Sequence, residues 1–278
     1  MRFPARALAG LVILASSVTF ASAQGAPPSN SLVEIEYVRP QKREYLPIHD
    51  RLKNRKVLEQ LQQFLSPLRL PQKLTIKIDQ CGAPARPYKS DGVATICYEI
   101  VEQIERAASG LNGEARSSAI AGAFIQATMY QVAVAILDIL DFPIWGRTGD
   151  AADRLSAFVM QNFGEDLAIR TIIATARFFE ATRRTWTGSA FASADSPEEQ
   201  RFYNYLCIAY GSSPISFRFL VASDKNQQPI LPIPRARRCA GEYAQVRQAF
   251  NLRIMPHVDP QLLVYVRSRD WLQPPDVK

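Results

Sequence analysis

The chain has 278 residues, of which 47% are hydrophobic and 21% charged, and its formal net charge is +7. This length suits one large domain or two small ones and is ample for a hydrophobic core. The positive excess is mild and its densest cluster is the run RARR at residues 235–238, so the composition argues against nucleic acid as a partner.

The N-terminus has the pattern of a secretory signal peptide. Two arginines precede a short apolar stretch that closes on the small residues Ala21-Ser22-Ala23, which is the usual order of such a peptide. We expect cleavage after Ala23 and a periplasmic or secreted protein, whose charge falls from +7 to +5 when Arg2 and Arg6 are removed. The apolar stretch is shorter than the ~20 residues of a membrane span, which argues against an N-terminal anchor. Residues 24–31 are predicted to be a flexible lead-in, and residues 32–278 a single domain.

Two segments near the start of this domain alternate apolar and polar residues, as half-buried strands do. They cover Leu32–Val38 and Leu74–Ile78, and a helix is predicted between them at Asp50–Leu65. The loop CGAPARPYKSDG then leads into the apolar run VATICYEI, which we interpret as the second strand of a hairpin. The prediction is therefore a small N-terminal antiparallel sheet.

The four cysteines are even in number, and in an exported chain this argues for two disulfides. Three pairings are possible. The predicted hairpin would bring Cys81 next to Cys97, which leaves Cys207 to pair with Cys239. A zinc site built from the four cysteines is disfavoured, because the chain has no C-x-x-C pair and exported thiols oxidise.

Beyond Tyr98 the apolar residues recur at helical spacing, which predicts an α+β fold with a mostly helical second part. The central helix is uncharged from Ala119 to Leu137, long enough for a membrane span, but Gln126 and Gln131 within it favour a buried core helix. We therefore expect no stable membrane span after signal cleavage. The predicted helices are Glu99–Ala108, Ala115–Leu140, Asp150–Asn162, Glu165–Arg183, Pro197–Tyr210, Ile215–Ala222 and Cys239–Phe250.

Several segments resemble a bacterial family known as a domain of unknown function and regarded as zinc metallopeptidases. The strongest is YQVAV at Tyr130–Val134, followed by AILDILDFPIWGRTGDAAD up to Asp153. CG at Cys81, CYE at Cys97–Glu99 and QRFYNYLCIAYGSSPISF at Gln200–Phe217 are also similar. The resemblance implies a zincin-like, single metallopeptidase-like domain, in which a helix carries H-E-x-x-H and a following acidic stretch completes a zinc site.

The resemblance also implies that the zinc site is degenerate in this chain. The H-E-x-x-H positions fall on Tyr130, Gln131 and Val134, and the third ligand falls on Gly149. In such a motif two imidazoles bind one metal and the glutamate activates its water. Tyrosine is a poor zinc ligand, glutamine is no base, and valine and glycine have no donor. We therefore expect no metal and no cofactor, although zinc is expected for the family.

Acidic residues around these positions are the remaining candidates. Asp150 and Asp153 lie where the family has its second acidic cluster, and such residues often orient a ligand histidine. Without a histidine, capping and helix-dipole roles are better supported, although acids alone could also suit Ca²⁺ or Mg²⁺. The chain has only His49 and His257, and Ser196 stands where the resemblance would place a further histidine.

Other catalytic patterns are missing: the sequence has no G-x-S-x-G and no glycine-rich phosphate loop. The aromatic stripe of Phe178, Phe179, Trp186 and Phe191 is interpreted as core rather than as a ligand site. The first hypothesis is a non-catalytic pseudoenzyme that binds a peptide or envelope protein. The alternatives are an active metallopeptidase or hydrolase with non-standard ligands, and a structural envelope protein.

Overall fold

A computed structural model describes residues 32–82, 90–183, 196–222 and 229–267 of the chain. The predicted signal peptide and lead-in, as well as Trp186 and Phe191, lie outside these residues. A small sheet and a larger set of helices make up the described part, as the α+β prediction expects. The elements in chain order are β1 Val33–Tyr37, α1 Leu46–Asn54, α2 Val57–Phe64, β2 Leu74–Asp79, β3 Val93–Cys97, α3 Tyr98–Ala107, α4 Gly113–Ile139, α5 Thr148–Met160, α6 Glu165–Thr182, α7 Glu198–Ser212, α8 Ile233–Arg253 and α9 Pro260–Arg267.

The sheet is parallel, so the predicted antiparallel arrangement is wrong. Its order is β1-β2-β3, with Val33 opposite Leu74 in the first pair and Asp79 opposite Cys97 in the second. Parallel strands need a crossover connection of about a dozen residues or more, whereas antiparallel strands can be joined by a tight turn. Helices α1 and α2 supply the first crossover and residues 80–92 the second. A connection of that length is too long for an ordinary hairpin turn.

The disulfide between Cys81 and Cys97 is present, although the hairpin from which it was predicted is not. Cys81 follows the end of β2 and Cys97 ends β3, with their Cα atoms 5.5 Å apart. Because the strands are parallel, their carboxyl ends lie at the same edge of the sheet, where the two sulfurs meet. The crossover returns through Gly92, whose φ is +73° and whose added Cβ would lie 2.6 Å from the Lys73 carbonyl oxygen.

The second predicted disulfide, Cys207 to Cys239, joins α7 to α8. These helices pass very close to each other. At Gly211, one turn beyond Cys207, an added Cβ would lie 2.3 Å from the Cys239 carbonyl oxygen. The close approach and the covalent link together fix α7 against α8, and α7 carries residues of the candidate site.

Three predicted helix bounds differ from the structure. The helix predicted at Asp50–Leu65 is two helices, because Lys56 between α1 and α2 has a left-handed φ of 52°. The segment Ile215–Ala222 forms only a short 3-10 turn at Arg218–Leu220. Helix α8 begins at Ile233, earlier than predicted, because Pro234 occupies its first turn, where a missing N–H does no harm.

Helix α4 is the centre of the domain. It is long and apolar enough to cross a membrane, but 78% of its most apolar stretch is buried inside the protein, as in the core helix of a globular domain. Its C-terminal half packs with the sheet residues Leu74, Ile76 and Ile78 in one hydrophobic cluster. Ile125 and Met129 belong to a second cluster, formed with α5, α6, α7 and α8.

Candidate functional site

The residues at the motif positions lie on α4, in its second half. Tyr130 and Val134 are each 6% exposed, while Gln131 is half-buried. The spacing of i and i+4 places Tyr130 and Val134 on one side of the helix. Both residues belong to the sheet-side hydrophobic cluster, and the Tyr130 ring in addition lies against a charged side chain of a neighbouring helix.

A guanidinium group lies against Tyr130. The Cζ atom of Arg201, which α7 carries, is 4.5 Å from the centroid of the Tyr130 ring and 4.8 Å from that of Phe179 on α6. Both distances are within the range of cation–π interactions. Two aromatic rings, Tyr130 and Phe179, therefore contact the Arg201 cation, and Tyr130 is the residue predicted for the first motif position.

Asp153 neutralises this guanidinium. Arg201 donates two hydrogen bonds to the carboxylate, Nε to Oδ2 at 2.9 Å and Nη2 to Oδ1 at 2.7 Å. This is the bidentate geometry in which arginine binds carboxylates most strongly. Asp153 comes from α5, so the pair links α5 to α7 beside α4. Asp153 was predicted as a candidate at this site, but Arg201 was not.

The ion pair is buried. The Asp153 side chain is fully inaccessible and that of Arg201 is 17% exposed. Burial alone would lower the pKa of the Arg201 guanidinium, but the charge of Asp153 and the hydrogen bonds to it outweigh burial and raise that pKa above its ordinary value. Arg201 is therefore a permanent cation, and the site contains a positive charge that belongs to the protein itself.

Hydrogen bonds between buried side chains of α4, α5 and α7 lead to the backbone of Asp153. Gln126 Nε2 donates to the Tyr205 hydroxyl at 3.0 Å, and Ser156 Oγ donates to the Asp153 carbonyl oxygen at 3.0 Å. The Tyr205 hydroxyl bonds to Ser156 Oγ, and since the serine proton is used, tyrosine is the donor. Burial and the Asp153 carboxylate raise the pKa of Tyr205, so its phenol stays neutral and able to donate.

The start of α5 forms the outer edge of the site. Gly149 is buried and Asp150 is half-buried, both in the first turn of the helix. Ser196 Oγ donates to Asp150 Oδ1 at 2.5 Å and accepts from Arg147 Nη1 at 3.1 Å. The position predicted for a further histidine thus does lie beside the acidic stretch, and it holds a serine that bridges an arginine and an aspartate.

Metal-binding groups elsewhere do not assemble a zinc site among the described residues. One cluster of potential ligands is present there, consisting of Cys81, Cys97 and Glu99. Its two sulfurs form a disulfide, and Glu99 accepts hydrogen bonds from the backbone N–H groups of Cys81 and Gly82. His49 lies on α1 and contacts Asp50, Tyr37 and Tyr98. His257 follows α8. Neither histidine is on α4, α5 or α7.

Sequence reasoning missed Arg201, Phe179 as its aromatic neighbour, and Tyr205. The sequence does not show whether an arginine is buried or exposed, and the segment QRFYNY has no periodic pattern that would indicate it. One signal was available. An aspartate buried in the second turn of a helix needs a positively charged partner, and arginine side chains elsewhere in the chain are candidates for that partner.

Comparison with known protein families places most of the chain in one family. Residues 37–253, well over half of the chain, match the model of the family named domain of unknown function 4344, which is described as "Putative metallopeptidase". No curated protein and no solved structure gives a significant match.

Proposed function

Because the chain belongs to the family described as "Putative metallopeptidase", we propose that it is an exported, zincin-like member that does not hold zinc and acts by binding a peptide or envelope protein. Its two disulfides fit export. The rest of the proposal depends on the chemistry of the residues at the motif positions.

The donor set does not fit zinc. A catalytic zinc site uses about three protein ligands and keeps one position for water. The positions assigned to ligands by the family resemblance are Tyr130, Val134 and Gly149, of which only Tyr130 has a polar side-chain atom. Both oxygens of the Asp153 carboxylate accept hydrogen bonds from Arg201. At the base position, the amide of Gln131 cannot accept a proton as a carboxylate does.

The observation that carries the proposal is the placement of Arg201. Its guanidinium lies 4.5 Å from the ring centroid of Tyr130 and is bound to Asp153 by two hydrogen bonds. A fixed positive charge repels a divalent cation and at the same time satisfies the buried carboxylate, which would otherwise favour one. On this proposal the Arg201 guanidinium supplies the positive charge next to Asp153 that a bound metal ion would otherwise supply.

An exposed tryptophan supports the binding part of the proposal. Trp145 is 99% exposed in the segment between α4 and α5, two residues before Arg147. Tryptophan is enriched among the residues that dominate protein interfaces. Placed at the edge of the candidate site, it offers an anchor for an extended peptide without any catalytic group.

Elemental analysis of the purified protein tests the metal part. The protein should contain far less than one zinc per chain after growth with added zinc, and a casein assay should show no hydrolysis that a chelator abolishes. Zinc close to one per chain together with chelator-sensitive cleavage would overturn the proposal and favour the active hydrolase.

Selection from a peptide library on the immobilised protein tests the binding part. Bound peptides should be lost with Trp145→Ala, whereas the matched control Leu252→Ala, at a 65% exposed position on α8, should keep them. Failure of the library to yield any peptide, or equal loss with both variants, would argue against binding at this edge.

A further inference from the structure

A second feature of α4 lies on a different side of the helix from Tyr130. A cavity of about 340 Å³ is bounded mainly by α4, α5 and α8, with further residues from the end of α2 and from α9. Helix α4 contributes Met129, Val132, Ala133 and Ile136. These four residues follow the i, i+3, i+4, i+7 spacing of one helical face, whereas Tyr130 and Val134 lie on another. The cavity therefore lies at a different face of α4 from Tyr130, although Ser156, which donates to the Asp153 carbonyl oxygen, also lines it.

Most residues that line the cavity are apolar, although the buried Ser156 also lines it. Phe158 from α5 and Phe250 from α8 face the aliphatic residues of α4 across it. Its volume falls within the roughly 300–1,000 Å³ typical of pockets for small ligands. Met129 also lines it, and methionine adapts easily to ligands of different shape. These features favour a ligand with a flexible hydrocarbon part.

Two polar side chains of the cavity indicate which chemical group the ligand carries opposite its hydrocarbon part. Arg247 and Asn251 both line the cavity from α8 and are exposed. At a spacing of i and i+4 they lie on the same helical face. Neither side chain makes a hydrogen bond or ion pair with the described residues, so a guanidinium and a carboxamide remain available side by side.

We propose that this cavity binds a medium-chain monocarboxylate, a molecule of the fatty-acid class. Its hydrocarbon chain lies among Val132, Ala133 and Phe250, and its carboxylate accepts hydrogen bonds from Arg247 and Asn251. The positive charge of Arg247 complements the carboxylate, and arginine binds that group in a bidentate manner. The proposal is independent of the proposed peptide-binding function, because it uses a different face of α4.

Calorimetric titration with hexanoate, octanoate and decanoate provides the first test. Affinity should rise about fourfold for each added methylene that is buried, until the cavity is filled. Decyltrimethylammonium has the same tail but the opposite charge, and it should bind at least tenfold more weakly than decanoate. Equal affinity for both, or no binding of decanoate, would overturn the proposal.

Variants separate the head group from the tail. Arg247→Gln, at an exposed position where folding is not at risk, should reduce decanoate affinity about tenfold and leave decanol binding unchanged. Arg238→Gln, an exposed arginine on the same helix outside the cavity, is the matched control and should change neither. An unchanged decanoate affinity in Arg247→Gln would remove the assigned role of the guanidinium and overturn the proposal.

Filling the cavity gives the third test. Ala133→Phe should abolish binding of both decanoate and decanol. An unchanged circular dichroism spectrum would show that this variant is folded, and Arg247→Gln tests the same site at an exposed position. If the protein instead forms a concentration-dependent dimer that Ala133→Phe abolishes, and no decanoate binds, the cavity belongs to a second copy of the chain and the proposal fails.

Discussion

Two faces of the same apolar helix, α4, pack against very different surroundings. The face with Tyr130 meets a buried ion pair of Arg201 and Asp153, in which both carboxylate oxygens accept hydrogen bonds from the guanidinium. The face with Met129 and Ala133 meets other apolar side chains and leaves a cavity of about 340 Å³. In sequence the two faces are similarly uncharged, so the difference comes from the helices that pack against them.

The two faces of α4 are expected to tolerate substitutions in different ways. A buried charge is stable only while its partner and hydrogen bonds remain, since desolvation of an unpaired ion is very unfavourable. Apolar contacts are non-directional, and a face that already contains empty volume can accept extra atoms. We therefore expect large effects from small polar changes on the first face and small effects from larger apolar changes on the second.

The largest expected effect comes from Asp153→Asn. It leaves the Arg201 charge buried and unpaired, and should lower the free energy of unfolding by about 3–5 kcal/mol, as measured by urea denaturation. The matched control is Glu102→Gln in the exposed pair of Glu102 and Arg106, which should change it by less than about 0.5 kcal/mol. A loss below about 1 kcal/mol for Asp153→Asn would mean that the ion pair does not stabilise this face.

Restoring the family motif tests whether Arg201 takes the place of the metal. The variant Tyr130→His, Gln131→Glu, Val134→His and Gly149→Glu should bind zinc weakly while Arg201 remains. Adding Arg201→Ala should tighten zinc binding by about hundredfold, equivalent to about 2.8 kcal/mol, because the repulsion is removed and Asp153 is free to orient a histidine. Competition with a chromophoric chelator measures this. Equal affinity with and without Arg201 would contradict the proposed replacement.

Much of the fold could be predicted from the sequence, because local periodicity carries it. The predicted bounds of α3, α4, α5, α6 and α7 agree with the structure to within two residues at each end, since amphipathic spacing and first-turn acids mark them. Both disulfides were also predicted correctly. The direction of the sheet was wrong, because alternation is the same in parallel and antiparallel strands and only the connection length, residues 80–92, separates them.

The candidate site was only half predictable. The positions of Tyr130 and Asp153 follow from the family resemblance, and the structure brings both against one guanidinium. Arg201 comes from α7, far away in sequence, and its burial depends on how α5, α6 and α7 pack around α4. No pattern within α7 encodes that contact. The cavity near Ala133 was not predictable either, because a void reflects the packing of several helices.

Two alanines on α4 provide the next test of the comparison between its faces. Ala133 lines the cavity, whereas Ala135 is fully buried in the sheet-side cluster and does not. Ala135→Leu should destabilise the protein by about 1–3 kcal/mol through overpacking. Ala133→Leu should be neutral or slightly stabilising because its added methylenes enter empty volume. Thermal and urea unfolding of both variants measure the difference, and equal losses would show that the cavity cannot accept extra atoms.

The smallest expected effect concerns the rings around Arg201. Phe179→Leu keeps most of the apolar volume but removes the aromatic face that lies 4.8 Å from the guanidinium. A double-mutant cycle with Arg201→Met isolates this contact, because the packing changes of each single variant cancel. The coupling should be about 1 kcal/mol, at the level of a partly desolvated cation–π interaction.

The matched cycle of Phe178→Leu with Arg201→Met should give a coupling near zero, since Phe178 packs against Phe179 rather than against the guanidinium. A coupling near zero in both cycles would mean that the rings contribute only volume, and that Asp153 alone holds the cation beside α4.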